Sequence, residues 1–507
     1  MLSQYKPEAV DPLIQPDRKQ RSFLILCASV AALGAVLLVY SQTRAFAWDE
    51  GFHVLTAQLI KAGRKPYLDF CFSQTPLNAY WNAFWMTMLG ESWRVVHAVA
   101  AILTTATVFL VADFVDRRLP VPGWRLPAAV TAAAVTGLNV TVVEYGTVAQ
   151  AYAMCLFLTV AAFRLTILAP DREGWFRPFA AGFCSGAAAN ASLLTAATGP
   201  VVLVWLLIHN RTGKGWIKCA AFFGGGILAC LPVLRLFAQN PKAVWFGIFE
   251  YNGVYRTVDW PGTTRHNFEV LTYWIDSSQA LTLGLLAAIG LWFIAKSDWP
   301  AMRRSEFYLC GWIALATGAE LCTPRPTFQR YFVLTVPFVA ILAAAGLYAV
   351  TLRMWNAGRP AWPVIAIVLL AALGLGKSIY GRREIYTWPY FEQIARKVDE
   401  VTPPGGTIFA DEQIYFLTRR RPPSGFELAD SHKLELLPPD VARAFHIVPK
   451  PEVDRRVAAG FFDTVATFED NVDDDILAAW DLAGHYAHKA EVGDCSVYWG
   501  RSMSRKH

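Results

Sequence analysis

The chain has 507 residues, of which 54% are hydrophobic, 14% aromatic and only 17% charged, with a mean hydropathy of +0.32. An average soluble domain carries about a quarter of its residues as charges. A chain of this length would need polar surface for roughly three such domains. These figures exclude an ordinary soluble enzyme, a disordered scaffold and a disulfide-stapled secreted module, and they point to a polytopic membrane protein. The 19 Trp and 18 Tyr fit that class, because both residues gather at the water–bilayer interfaces. Of the nine Cys, Cys27, Cys155, Cys184, Cys219 and Cys230 lie in apolar runs and read as small buried hydrophobes, and no CxxC or Cys/His cluster marks a zinc site.

Taken in chain order, hydropathy marks spans at 23–41, 93–112, 126–143, 146–168, 178–194, 196–209, 216–237, 279–295, 306–321, 331–352 and 362–380. That makes about eleven segments long enough, or nearly so, for the hydrocarbon core. The stretch 178–209 reads as two short spans broken around Ala197–Pro200, or as one span with a re-entrant piece. Alternate loops are basic. Arg18, Lys19 and Arg21 precede the first span; Arg117, Arg118 and Arg125 follow the second; Arg164, Arg172 and Arg177 follow the fourth. Arg211, Lys214 and Lys218 follow the sixth, Lys296, Arg303 and Arg304 the eighth, and Arg353 and Arg359 the tenth. An odd number of spans with a cytoplasmic N-terminus requires this alternation. The excess of 46 Lys+Arg over 40 Asp+Glu therefore encodes orientation, and no nucleic-acid partner is expected.

The resulting organisation is a cytoplasmic tail over 1–22, a transmembrane region over 23–381 with outer segments 42–92 and 238–278, and an outer domain over 382–507. The outer domain holds 21 acidic and 16 basic residues, against 19 acidic and 30 basic in the rest of the chain. It alternates a helix (Pro389–Val401), a strand (Thr407–Ala410), a helix (Pro451–Ala459), a strand (Phe461–Thr467), a helix (Asp473–Leu482) and a strand (Cys495–Trp499), an α/β pattern. The expected fold is thus an α-helical polytopic bundle carrying a C-terminal extracytoplasmic α/β domain.

The first outer segment is structured rather than loose. Trp48-Asp49-Glu50-Gly51 sets two carboxylates where the first span leaves the bilayer, a costly position without a role; alternatively they are solvated loop charges, or the acidic first turn of a helix. An amphipathic helix over Phe52–Lys61, a turn at Gly63–Lys65 and an aromatic interfacial helix over Asn78–Leu89 follow. His53, one turn into the first of these, is either a substrate contact or an interfacial polar residue.

The run WDEGFHVLTAQLIKAGRKPYLDF…SQTPLNAYW resembles the first outer loop of GT-C glycosyltransferases, in the branch of protein O-mannosyltransferases and the lipid A aminoarabinose transferase. The matching pieces are Asp49-Glu50, the turn Gly63–Asp69 containing Pro66-Tyr67, and Pro76–Tyr80. This resemblance implies a sugar donor on a polyprenyl phosphate, an acceptor hydroxyl on a protein, lipid or glycan, and inversion at the anomeric carbon. It also implies an integral protein of a bacterial inner membrane. Asp49 is then the general base, with Glu50 orienting it, capping the helix or sharing a divalent cation with it; no cofactor beyond that possible cation is expected. Asp69 stabilises the turn or, with Tyr67, contacts substrate.

Glu144 fits a second acidic position of the family, or else serves as an acid at the start of the next span. Gln150 and Tyr152 follow it as polar positions able to line a cavity. For the phosphate, Arg325 and Arg330 with Tyr331 stand between the ninth and tenth spans. Their forked guanidinium groups suit a phosphate, or lipid headgroups in general. The segment 238–278, with Glu250, Tyr251, Tyr255, Arg256, Asp259, Trp260, Arg265 and His266, is rich enough to form a sugar-facing lid. Arg419-Arg420-Arg421 reads as solvated surface or as an acceptor contact. Two rival classes are a secondary transporter, which would show a half-repeat and mid-membrane charges that are not seen here, and a non-catalytic envelope-assembly protein.

Overall fold

The computed structural model describes residues 16–170, 174–210, 214–256, 262–355, 361–383, 386–434, 436–468 and 474–501. Residues 1–15 of the tail, Arg172, Arg211, Arg359, Asp259, Trp260 and Asp473 lie outside the described residues.

The membrane-side helices are α1 (Pro16–Thr43), α2 (Glu50–Lys61), α3 (Leu77–Leu89), α4 (Trp93–Arg118), α5 (Arg125–Gly137), α6 (Val140–Tyr145), α7 (Tyr152–Ile167) and α8 (Phe176–Ala191). They continue with α9 (Thr198–Ile208), α10 (Gly215–Gln239), α11 (Pro241–Trp245), α12 (Thr263–Asp276), α13 (Ser278–Lys296), α14 (Ala301–Leu321), α15 (Val336–Trp355) and α16 (Ala361–Gly381). Among the described residues six helical stretches are long and apolar enough to cross a membrane: Gln20–Thr43, α4, α10, α13, Gln329–Met354 and α16. Two shorter apolar stretches, α7 and Leu193–Ile208, join them. Helices α8 and α10 pack backbone to backbone: a Cβ on Gly225 would stand 2.0 Å from the Phe179 carbonyl oxygen, which is why this run is glycine.

Several expected spans are broken. The segment 126–143 ends as a helix at Gly137 because Asn139 starts a new one. Its Oδ1 accepts from the Thr141 and Val142 amides at 3.1 and 3.3 Å, an N-cap. The segment 146–168 turns helical only at Tyr152. Between Gly146 and Ala151 the backbone is non-helical and is bound by side chains instead. In 178–209 the break begins at Ser192, whose hydroxyl accepts from the Leu194 amide, and runs through Ala197, so it starts earlier than the expected Ala197–Pro200. The span expected at 331–352 opens as a 3-10 turn, Gln329–Thr335, before α15. The segment 238–278 is mostly helical, as α11, a wide π-type turn over Phe246–Tyr255, and α12.

At one end of α4, Asp113 takes Arg117 at 2.5 Å and also Arg164, while buried Glu306 takes Arg118 at 3.3 Å and Arg303 at 2.9 Å. These bases belong to three of the basic loops and meet on one face. At the opposite end of α4, about 39 Å away for 26 residues, Arg94 pairs with Glu392 at 2.6 Å.

The C-terminal segment contributes α17 (Trp388–Val401), α18 (Glu412–Thr418) and a four-stranded sheet. The strands are β1 (Ile408–Phe409), β2 (Thr464–Phe468), β3 (Tyr486–Val492) and β4 (Cys495–Arg501), in the order β1-β2-β4-β3 with only β1 and β2 parallel. Strand β3 is absent from the sequence expectation. It is an edge strand exposed over Ala487–Lys489, so it lacks the apolar alternation that announced the others. Its hairpin signal was Gly493-Asp494, with Gly493 at φ 59°.

One hydrophobic core joins this segment to the first outer segment. Phe52, Leu55, Leu59, Phe70 and Phe72 pack in the same cluster as Phe391, Ile394, Ile414, Tyr415 and Val497. Each such side chain contributes about 1.5–3 kcal/mol of burial.

Candidate functional site

Asp49 and Glu50 open α2 but face different surroundings. Glu50 is fully buried. Its Oε1 accepts from the Ala149 amide at 2.9 Å and lies against His97 Nε2, and its Oε2 accepts from Trp388 Nε1 at 3.1 Å. His97 in turn donates from Nδ1 to the Ser41 carbonyl at 2.7 Å. Asp49 sits at the N-cap of α2 yet makes no capping hydrogen bond. Instead its Oδ2 accepts from Arg330 Nη2 at 2.5 Å, across 281 residues of chain.

This ion pair lines a cavity of about 460 Å³ together with His53, Thr75, Gln150, Tyr152, Arg256, Arg325 and Tyr331. The volume suits a small ligand or part of a larger one. The Asp49 side chain is 39% exposed and that of Arg330 22%, so both reach the open space. Arg330 lies over the rings of Phe328 and Tyr331, 4.4 and 5.9 Å from their centroids, which fixes its plane. Arg256 approaches Phe328 from elsewhere at 5.8 Å. The arginine loop itself is braced from α12: Asn267 donates to the Pro324 carbonyl at 3.0 Å and accepts from the Thr327 amide at 2.9 Å.

Opposite chemistry comes from the non-helical stretch Gly146–Ala151. Thr104 holds the Gly146 carbonyl at 2.5 Å, Glu50 holds the Ala149 amide, and Asn78 and Asn82 hold the Ala149 carbonyl at 3.0 and 2.8 Å. Three elements thus pin this backbone where no helix does, and Gln150 lines the cavity from it. Asn78 also donates to His53 Nδ1 at 3.3 Å. Burial pulls His53 down to about 4, against the opposing charges of Asp49 and Glu50, so the ring is neutral near pH 7 with its proton on Nε2.

Of the residues singled out from sequence, Asp49, His53, Gln150, Tyr152, Arg325, Arg330 and Tyr331 meet at the cavity. Glu50, Glu144, Asp69 and Tyr67 do not line it. Glu50 is engaged as above. Glu144 pairs with Arg382 at 2.8 Å and accepts from Ser378 at 3.3 Å, tying α6 to the end of α16. Asp69 closes its turn by accepting from the Lys65 amide at 2.7 Å. Tyr67, at φ 65° and buried, donates from its hydroxyl to the Gln74 carbonyl and so shapes the loop from below. In the segment expected as a lid, Arg256 lines the cavity while Tyr251 is buried in the shared core. Arg265 pairs with Glu269 at 2.9 Å, and His266 holds the Thr327 carbonyl at 3.0 Å. Sequence reasoning missed Thr75, although it lies in the SQTPL piece, and Asn252, for which no sequence signal exists; Asn252 donates to the Ser73 carbonyl at 2.7 Å. No group of three or more His, Cys, Asp or Glu side chains converges among the described residues. The donors expected to share a cation do not fit one, since Asp49 holds a guanidinium and Glu50 is turned to His97 and Trp388.

No protein-family model matches the sequence, and a sequence comparison with curated proteins finds no match either. Solved structures do match. ArnT from Cupriavidus metallidurans bound to undecaprenyl phosphate superposes with a TM-score of 0.65 over 94% of this chain and 97% of that one, at 13% identity. The same protein in the apo state gives 0.63 over 95% and 98%, at 14% identity. The Archaeoglobus fulgidus oligosaccharyltransferase gives 0.50 over 86% of this chain and 67% of that one, at 12% identity. Both proteins are GT-C superfamily members, and the fold of this chain, a mostly helical membrane bundle with a small C-terminal sheet, is the GT-C fold.

Proposed function

We propose that the protein is a glycosyltransferase that moves a sugar from a polyprenyl-phosphate donor to an acceptor hydroxyl on the extracytoplasmic face. In this reading the N-terminus is cytoplasmic, the membrane is a bacterial inner membrane, and residues 382–507 stand outside together with the outer segment 42–92. The observation that carries it is the pairing of Asp49 with Arg330 at one cavity (2.5 Å). The reaction needs a proton acceptor and a phosphate-binding cation side by side, and these two side chains are of those types. The structural likeness to a protein bound to undecaprenyl phosphate supports the same class of lipid here.

The acceptor oxygen attacks the anomeric carbon, its proton passes to Asp49, and the bond from that carbon to the phosphate oxygen breaks with inversion. Polyprenyl phosphate leaves with the electron pair. Arg330 and Arg325 stabilise the charge that develops on the departing phosphate, as fixed guanidinium groups do in a partly dehydrated site. The donor phosphate competes with Asp49 for Arg330. Its arrival therefore releases Asp49 Oδ2 for the acceptor hydroxyl, so base and donor become available together.

The test is Asp49→Asn, assayed in membranes for sugar transfer from polyprenyl-phosphate donors and for undecaprenyl phosphate binding. Transfer is expected to fall by about 10²–10⁴-fold, the usual contribution of a general base, while lipid binding persists. Unchanged transfer, or a loss of solute uptake with intact glycosylation, overturns the assignment.

A further inference from the structure

His53 stands four residues after Asp49, the N-cap of α2, so the two side chains leave the same face of the helix, and both line the cavity. Its bonding follows from a neighbour that has no choice of role. The Ala149 carbonyl only accepts, so the end of the Asn78 side chain 3.0 Å from it is the amide nitrogen. Asn82 donates to the same carbonyl at 2.8 Å. The second hydrogen of the Asn78 nitrogen serves His53 Nδ1 at 3.3 Å. Nδ1 must then accept, which puts the single ring proton on Nε2.

An imidazolium would need an acceptor at Nδ1 and finds a donor there instead. Burial disfavours it most; Asp49 and Glu50 favour it, and Arg330 opposes it. The residue as a whole is only 3% exposed. Among the described residues Nε2 has no hydrogen-bond partner, yet it is not one of the fully enclosed unpaired atoms, so it keeps access to the open space. A neutral N–H therefore faces the cavity that Asp49 and Arg330 share. The two reacting oxygens of the proposed transfer differ in what they can do with it. The attacking hydroxyl needs its lone pair for the anomeric carbon, and a hydrogen bond to that oxygen would dull the attack. The departing phosphate gains charge, which a fixed donor stabilises increasingly as the reaction proceeds.

We infer that His53 donates a hydrogen bond from Nε2 to the phosphate of the donor lipid, beside Arg330, and that Asn78 is the positioning residue that holds the ring in this tautomer. The proton stays on His53 throughout, so the base remains Asp49. This rests on the reading of the cavity as a polyprenyl-phosphate-sugar site.

The experiment uses the full chain in lipid nanodiscs and measures binding of bare undecaprenyl phosphate, with thermal unfolding of each variant as the check on folding. His53→Phe keeps an aromatic ring and removes the donor; it is expected to weaken binding about tenfold, as loss of a hydrogen bond to a charged group does. His53→Gln places an amide N–H near the position of Nε2 and is expected to recover most of that loss. Asn78→Asp offers Nδ1 an acceptor, so the ring proton moves to Nδ1 and Nε2 carries a lone pair until the ring takes up a second proton. Affinity of this variant is read relative to wild type at each pH, which cancels the lipid's own ionisation. It is expected to be lowest at about pH 8.5 and to recover toward about pH 5.5, as the carboxylate-paired imidazole becomes charged. Adding His53→Phe to Asn78→Asp should abolish that recovery. A folded His53→Phe protein that binds like wild type, a His53→Gln as weak as His53→Phe, or a flat Asn78→Asp profile overturns the assignment and leaves the phosphate to Arg330. Unchanged lipid binding with lost sugar transfer overturns it equally, by placing the contact on the sugar or the acceptor. If His53→Phe does not fold, the His53→Gln and Asn78→Asp measurements decide. If the wild-type protein does not bind undecaprenyl phosphate at all, the proposed function falls together with this inference.

Discussion

Asp49 and Glu50 are chain neighbours with the same functional group, yet they occupy opposite kinds of environment. Around Glu50, His97, the Ala149 amide and the Trp388 indole converge on one buried carboxylate, and Trp388 brings in the C-terminal segment. Asp49 instead is partly exposed, pairs with Arg330 and faces open cavity space. A buried carboxylate with several fixed partners holds a fold in one arrangement, whereas a partly exposed ion pair at a cavity is open to exchange with a ligand. The contrast supports a stabilising role for Glu50 beside the chemistry proposed for Asp49, and it is breakable by mutation.

The largest effect is expected at Glu50. Glu50→Ala leaves a buried imidazole, an amide and an indole without their acceptor, which costs about 3–5 kcal/mol. The measurement is thermal unfolding of detergent-extracted protein, with Asp49→Asn as its counterpart. Glu50→Ala should unfold well below the wild type or fail to extract, and Asp49→Asn should unfold near it. If Asp49→Asn is the unstable one, the division of roles between the two carboxylates is wrong.

The next test moves to the seam between the outer segment and the C-terminal segment. Arg64 pairs at 2.8 Å with Glu427, whose side chain is only 1% exposed and whose carboxyl burial pushes upward. Arg64→Ala strands that carboxyl and is expected to cost about 1–3 kcal/mol. Adding Glu427→Gln should recover part of the loss, because the neutral amide no longer needs the guanidinium. No recovery would mean that Arg64 acts through packing on Phe70, over which it lies at 5.5 Å.

A pH experiment sharpens the same region. Burial, reinforced by Asp411, raises Glu412 from an ordinary 4.5 to about 8. The unfolded chain ionises this carboxyl near 4.5, while the folded chain keeps it protonated until about 8. Its contribution to stability is therefore full below 4.5 and is lost as pH rises through 8. The buried imidazoles His53 and His432, both lowered to about 4, have the opposite slope but act only below 6.5. Asp411, raised to about 6, acts below that value. Between pH 6.5 and 8 the unfolding temperature should fall, with a total effect of about 2 kcal/mol at most. Glu412→Gln should flatten that slope; a slope unchanged in the variant would assign it to another group.

How much of this was readable beforehand depends on how local the cause is. The long spans were legible because hydropathy is a property of consecutive residues. The breaks at Asn139 and Ser192 have N-cap residues as their signal, but a continuous apolar run hides them. Asp49 and Arg330 stood out because charges at the expected outer ends of the spans are scarce in a sparsely charged bundle; the resemblance of the first outer loop supplied the expected role of Asp49, and the fit of a guanidinium to a phosphate that of Arg330. The different fates of Asp49 and Glu50 were illegible: both are carboxylates on successive residues, and only the arrival of His97 and Trp388 separates them. The same holds for Glu144, whose partner Arg382 lies beyond the last span, and for Asn252 and Asn267, which act by bracing backbone far away in sequence.

Asp69 gives the smallest effect and the cleanest negative control. It belongs to the loop motif that carries the family likeness, which argues for a role in binding. Its carboxylate accepts from the Lys65 amide at 2.7 Å, and the residue does not line the cavity. An acceptor for one turn amide at a partly exposed site is worth about 0.5–1.5 kcal/mol, and Asn keeps that acceptor whereas Ala removes it. Asp69→Asn should leave both stability and transfer near wild type, and Asp69→Ala should lower the unfolding temperature slightly with little change in lipid or sugar affinity. A drop in donor affinity for Asp69→Asn at unchanged stability would show that the carboxylate charge itself is used, and would move the boundary of the site into the Gly63–Asp69 turn.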